Sequence, residues 1–173
     1  KENNIQIWLT PALNIHRSPL CGRNFEYYSE DPLIAGKMAA AMVRGIQSAK
    51  VVSTPKHFAA NNKETNRIES DSIMSERALR EIYLKGFEIC VKESAPKMIM
   101  TSYNLINGVH TSESAELITG ILRGEWGYEG MLTTDWSNTA KHYKEVKAGN
   151  DIRMPARQEG QLKEPYAQGL ITR

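Results

Sequence analysis

Apolar residues in this chain come in short runs of four or five, separated by longer stretches in which they recur every three or four positions. These are the two periods of strand and helix. Ile5-Gln6-Ile7-Trp8-Leu9 opens as a strand and leads into a long loop rich in Pro, Gly and Arg, from Pro11 to Asn24. Asp31-Pro32 then joins an N-cap to the residue best suited to the first helical position. Met38, Met42, Val43 and Ile46 follow at helical spacing, predicting a helix to about Ser48. Val51 to Thr54 is a short β-branched strand. A polar segment, Asn61 to Asp71, precedes a helix over about Ser75 to Glu93 whose inward stripe is Leu79, Ile82, Tyr83, Phe87 and Cys90. Met98 to Ser102 is the next strand, and Ser114 caps a helix carrying Leu117, Ile118, Ile121 and Leu122. Gly127 and Gly130 turn the chain into the strand Met131 to Thr134. Ser137 caps a helix with Ala140, Tyr143 and Val146 inward, and Asp151 to Met154 is a last short strand.

Strands and helices alternate, so the class is α/β, with parallel strands and crossover helices in an open doubly wound sheet or in part of a closed barrel. A complete (β/α)8 barrel takes ~250 residues. This chain has 173 and spends five strands by Met154, which fits about five βα units of a partial (β/α)8, TIM-like barrel spanning 1–173. Gly169 to Thr172 reads as a helix C-cap, a short apolar connection and a fresh N-cap. The abrupt start, with no Met and no charged leader, agrees that the chain is a fragment. Pro165 interrupts an otherwise helical segment and argues for irregular structure after Met154. An incomplete barrel leaves apolar strand edges uncovered, which favours association.

Composition narrows the function. With 40% hydrophobic and 24% charged residues the chain is of soluble globular type, and no apolar run approaches the ~18 residues of a membrane span. Twenty-two Lys and Arg against twenty Asp and Glu leave a net charge of +2, too little for the basic stripe of a nucleic-acid binder. Cys21 and Cys90 are too few for a disulfide framework or zinc knuckle and are most simply free thiols. His16, His57, His110 and His142 show no metal-ligand spacing, so neither metal nor cofactor is expected. The compartment, cytoplasmic or secreted, stays open.

The informative polar residues follow the strands, because in βα folds the segments after each strand gather at one face, where ligands bind. Those places hold His16, Arg17 and Arg23 after the first strand, Lys56-His57 after the second, Tyr103-Asn104 after the third and Asp135-Trp136 after the fourth. Asp135 is a carboxylate ringed by cations, which should hold its pKa down and keep it a standing anion. Such an anion suits a nucleophile, or a counter-charge to an oxocarbenium-like transition state. Arg23, Lys56 and His57 offer the directed donors that a vicinal diol needs, and Trp136 an apolar face for a sugar ring. Two other classes fit the same residues: a lyase or aldolase using Lys56 as a Schiff-base amine, and a non-catalytic sugar-binding or assembly fragment.

Longer motifs sharpen the choice. Cys21-Gly22-Arg23-Asn24-Phe25-Glu26 running into Ser29-Glu30-Asp31-Pro32, then Lys56-His57-Phe58, Ser75-Glu76-Arg77-Ala78-Leu79-Arg80-Glu81, Met100-Thr101-Ser102-Tyr103-Asn104, Thr133-Thr134-Asp135-Trp136, and Ala148-Gly149-Asn150-Asp151 through Met154-Pro155 occur in that order. Together they closely resemble the catalytic barrel domain of family 3 glycoside hydrolases of the β-glucosidase kind. The resemblance implies hydrolysis of terminal, non-reducing β-linked sugars with retention, through a covalent glycosyl-aspartate at Asp135. It implies that Arg23, Lys56 and His57 clamp the sugar hydroxyls, that Tyr103 lies beside the nucleophile, and that Trp136 walls the aglycone side. Arg67 belongs to a family-like segment and is taken as substrate-binding. After Lys56-His57-Phe58 the chain reads Ala59-Ala60-Asn61-Asn62, unlike the Lys-His-Phe-Pro-Gly pattern of the N-acetylglucosaminidase branch. This favours the β-glucosidase/β-xylosidase branch. The resemblance also implies a partner: the acid/base glutamate comes from a complementary α/β sandwich domain, and a retaining mechanism needs that carboxyl ~5–5.5 Å from the nucleophile. The isolated chain is therefore expected to hydrolyse its β-linked oligosaccharide or glucoside weakly or not at all.

Overall fold

The computed structural model of the chain describes residues 2–155 and 160–172. The described strands are β1 (Ile7–Trp8), β2 (Val52–Ser53), β3 (Asp71–Ser72), β4 (Met98–Met100), β5 (Leu105–Ile106), β6 (Val109–His110) and β7 (Met131–Thr133). The helices are α1 (Pro32–Ser48), α2 (Glu76–Ala78), α3 (Lys85–Ser94), α4 (His142–Ala148) and α5 (Lys163–Ala167), with π-helical stretches at Leu79–Tyr83 and Glu116–Glu125.

β1 pairs in parallel with β2, and β4 in parallel with β7. Parallel bridges at Ala12↔Lys56, Phe58↔Thr101 and Thr133↔Ile152 carry the same neighbour order from one end of this wall to the other. The α/β class is therefore observed, whereas five regular βα units are not. Strands form at four of the five expected places, and Asp151 to Met154 contributes one bridge. The reason is local: Asp151 Oδ2 takes the Leu132 N–H at 2.7 Å while also pairing with Arg123 at 2.9 Å, so a side chain occupies the donor that a longer ladder would use. β1 is shorter than expected, and both its residues are exposed.

α1 begins where its sequence signals place it. Asp31 accepts from the Leu33 N–H at 2.7 Å, and Pro32 sits in the first turn. Its buried face is made of Ala35, Gly36, Ala39, Ala40, Val43 and Ile46, small enough for α1 to lie close against α3. Behind the wall, Phe58 meets Phe87 and Trp126 edge-on at 5.2 and 5.9 Å, among Val43, Leu79, Cys90, Ile99, Ile118, Leu122 and Leu132.

Several expectations need correction. The stripe of the second helical region includes Leu79, Phe87 and Cys90 but not Ile82, which is 40% exposed because the π-helical stretch before α3 shifts the period by a residue. Ser137 caps no helix: its φ is 60° and its N–H is tied to Met154 O at 2.9 Å. The helix starts at His142 and turns Glu145 and Ala148 inward, leaving Val146 exposed. Pro165 does not interrupt α5, since it lies in the first turn, where backbone N–H groups have no helical partner to lose. Residues 156–159 of the segment expected to be irregular lie outside the described residues. Gly169 does end α5, with φ at 69° and the Leu170 N–H bonded back to Pro165 O at 2.9 Å.

One sheet was not anticipated. β3 pairs in parallel with β5, and β5 forms an antiparallel hairpin with β6. Asn107 and Gly108 make its two-residue turn at φ 49° and 85°, and that dipeptide between Leu-Ile and Val-His was the legible signal.

The α1–α3 crossing is testable. A Cβ on Gly36 would lie 2.9 Å from Gly86 O and from Ile89 Cβ, whereas one on Gly45 in the same helix meets nothing within 4 Å. Gly36→Ala should lower stability by ~1–3 kcal/mol and Gly45→Ala should raise it by ~0.5–1 kcal/mol. Urea unfolding of the two variants side by side checks both signs.

Candidate active site

Asp135 stands two residues past the end of β7, in a turn held from several sides. The Thr134 N–H donates to Ile152 O at 2.9 Å, and the Met154 N–H to Thr134 Oγ1 at 2.9 Å. Farther along, Arg153 pairs with the buried Glu145 at 2.6 Å and donates to the carbonyls of Ala140 and Asn138 at 2.9 and 3.3 Å. A charged pair buried beneath the loop thus ties the chain after Asp135 to the segment at 152–154. The carboxylate it presents is 7% exposed as a residue. Oδ1 accepts the Trp136 N–H at 2.7 Å. Oδ2 is buried and takes no hydrogen bond of ordinary geometry, although the Tyr103 hydroxyl lies close enough to favour its charge.

The other sequence-predicted residues assemble around that oxygen. His57 Nε2 is 3.8 Å from Asp135 Oδ2, and Arg23 donates to the same Nε2 at 2.8 Å. Lys56, from the chain after β2, adds its charge to both Asp135 and His57. Arg67 stacks its guanidinium over the Tyr103 ring, 4.7 Å from the centroid. Trp136, which follows Asp135, is 39% exposed. Three residues expected on the rim have other tasks: His16 Nε2 bonds Asn24 O at 3.0 Å, Arg17 donates to the Tyr83 hydroxyl at 2.9 Å, and Asn104 donates to the carbonyls of Ala59 and Leu105.

The electrostatics correct one expectation. Burial pushes the Asp135 carboxyl above the usual carboxylate range; the Trp136 N–H, Arg23, the Tyr103 hydroxyl and Lys56 pull it back only in part. It is a costly anion instead of a comfortable one. Burial likewise lowers Lys56 from its ordinary value, against the pull of Glu26 and Asp135. Burial, then Arg23, Lys56 and Arg67, hold His57 well below the usual imidazole range, so it is neutral. The Tyr103 phenol, buried and facing Asp135, is pushed up to about 12 and keeps its proton.

Residues 1–169 match the N-terminal domain of glycosyl hydrolase family 3. The chain belongs to that family. It is 65% identical over 173 residues to β-glucosidase A of Butyrivibrio fibrisolvens, which it matches along its whole length while covering 21% of that protein. It is 45% identical over 172 residues to an exo-α-(1→6)-L-arabinopyranosidase of Bifidobacterium longum, covering 99% of this chain and 23% of that one. The structure of β-glucosidase 3B from Thermotoga neapolitana in complex with glucose superposes with a TM-score of 0.93 at 48% identity, over 96% of this chain and 25% of that one. The chain therefore spans about a fifth of the length of the curated relatives it matches.

Within this family 3 chain, sequence reasoning overlooked the groups that hold the predicted residues. Glu26 pairs with Arg23, and Glu64 pairs with Arg67 at 3.0 Å while accepting from Asn61 at 3.3 Å. In each case the carboxylate is three residues from its arginine, a spacing visible in the sequence. Asn14, which clasps His57, gave no such signal.

The cost of the Asp135 anion has a measurable sign. A carboxyl whose folded pKa is raised binds its proton more tightly when folded, so it contributes a penalty present above the folded value and absent below the unfolded one. Asp135→Asn should therefore raise Tm at pH 7, with the gain shrinking as pH falls through the carboxylate range. A variant that unfolds earlier than wild type at pH 7 would show that the neighbouring cations depend on the charge.

Proposed function

We propose that the chain is the nucleophile-bearing part of a retaining β-glycoside hydrolase, a partial (β/α)8 barrel over 1–173 that acts on terminal β-linked glucose or a similar sugar. The observation that carries this is Asp135 Oδ2, a buried carboxylate oxygen left without a hydrogen bond beside Arg23, Lys56 and His57. The parallel neighbour order of the wall and the exposed β1 edge support the barrel reading. The glucose-bound T. neapolitana structure and the B. fibrisolvens enzyme support the substrate class.

In this reading Oδ2 attacks the anomeric carbon. The bond from that carbon to the leaving oxygen breaks, and the leaving oxygen takes a proton from a glutamate of a complementary domain. Water then attacks the same carbon and gives a proton to that glutamate, now a carboxylate; the glycosyl–Asp135 bond breaks, and the sugar leaves with its configuration retained. Desolvation makes Oδ2 the better nucleophile, because the charge that burial makes expensive is spent in forming the bond. Arg23, Lys56 and Arg67 order the sugar hydroxyls, His57 stands behind Arg23 with its ring nitrogens on Asn14 and Arg23, Tyr103 lies against the nucleophile, and Trp136 faces the aglycone.

A mechanism-based label tests this. A 2-deoxy-2-fluoro-β-glucoside with a dinitrophenolate leaving group needs little protonation, so the 173-residue chain should be tagged on Asp135, as read by peptide mass spectrometry. Asp135→Asn should lose the tag, and in a longer protein carrying the acid/base domain it should slow turnover on the order of 10⁴-fold. A tag on another residue sinks the assignment. Glucose binding with no tag would point to a sugar-binding fragment, and borohydride trapping of a carbonyl compound on Lys56 to a Schiff-base enzyme.

A further inference from the structure

Asn14, in the loop after β1, has no part in the chemistry above, yet it is only 3% exposed and spends its whole side chain on His57. Its Oδ1 accepts from the His57 N–H at 2.8 Å, and its Nδ2 donates to the His57 carbonyl at 2.9 Å. A backbone N–H only donates and a carbonyl only accepts, so these two bonds decide which end of the amide is oxygen. That same oxygen lies 3.3 Å from His57 Nδ1. Across the ring, Arg23 approaches Nε2 at 2.8 Å, and a guanidinium has donors only. Two neighbours of fixed polarity thus assign the imidazole: Nδ1 carries the hydrogen and Nε2 is bare. A proton on Nε2, in the other tautomer or in the imidazolium, would set N–H against N–H.

We propose that Asn14 is a positioning residue: by holding the His57 proton on Nδ1, it keeps Nε2 bare and makes His57 the acceptor that aims Arg23. Arg23, held between Nε2 and Glu26, keeps its remaining N–H groups for a ligand. The charged groups facing the ring are Arg23, Lys56 and Arg67 with Asp135 opposite, and the three cations oppose a second proton. The meaning for catalysis rests on Asp135 as the nucleophile; the tautomer does not.

Nitrogen-15 spectra of the histidine rings test the two separately. The chain has four histidines, so loss of one pattern in His57→Gln identifies the ring. Wild type should show His57 with a protonated Nδ1 and a bare Nε2, unchanged from about pH 5 to 8, where exposed histidines titrate. Asn14→Asp keeps an acceptor at Nδ1 but invites a second proton, so His57 should titrate in that window and fluoroglucoside tagging of Asp135 should slow roughly 100-fold. Asn14→Ala should let the proton move to Nε2. A protonated Nε2 in wild type overturns the inference, as does an unchanged ring in both variants, and the wild-type spectrum decides even if the variants fail to fold. The assigned tautomer with no tag on Asp135 would uphold Asn14 and sink the glycosidase reading. A tag on Asp135 with Nε2 protonated would do the reverse.

Discussion

A negative charge kept from water at Asp135 is tolerated only because the fold surrounds it with groups that cannot relax away. An isolated buried carboxylate would take up a proton. Here Oδ1 is answered by a backbone N–H at 2.7 Å, and two cations, Arg23 and Lys56, act on it from neighbouring elements. The cations are themselves restrained. Arg23 has Glu26, Arg67 has Glu64, and His57 contributes no charge at all. Arg23, shared with its own carboxylate, and Lys56 offset only part of the penalty that burial places on the Asp135 charge.

This is also why the sequence misjudged the charge of the carboxylate while bringing the same residues together. Position after a strand identified Asp135, Arg23, Lys56 and His57, because βα topology brings strand ends to one face whatever the intervening loops do. A list of cations carries no information about depth or about which of them are already neutralised. Glu26 and Glu64 lie three residues from their arginines, a spacing legible in the sequence. Asn14 could not have been found, since its role depends on the loop after β1 lying against the chain after β2, a contact 43 positions apart in sequence.

The fold was legible where local chemistry was decisive. Asp31-Pro32 starts α1, Ser75 caps the next helical region through the Ala78 N–H, and Ser114 does the same through Leu117. It failed where a tertiary partner overrode the local pattern. Met154 captures the Ser137 backbone, so the helix waits until His142, and an ion pair with Arg153 draws Glu145 inward in place of Val146. A buried carboxylate on a helix is the reverse of what periodicity expects. Its burial is intelligible only with Arg153 bonded at once to it and to the loop carbonyls.

Trp136 divides its tasks between main chain and side chain. Its backbone N–H holds Asp135 Oδ1, while its indole is 39% exposed. The donor that fixes Asp135 Oδ1 belongs to the main chain, so the side chain at that position can change without releasing the carboxylate. The same division holds across the site: Asn14 grips His57 by its main chain, and Thr134 is held by the main chain of Ile152 and Met154. Position is fixed by backbone, and the exposed side chains are left free to vary. The relatives named above include a β-glucosidase and an exo-α-(1→6)-L-arabinopyranosidase, and a carboxylate held by main chain is compatible with different side chains around it.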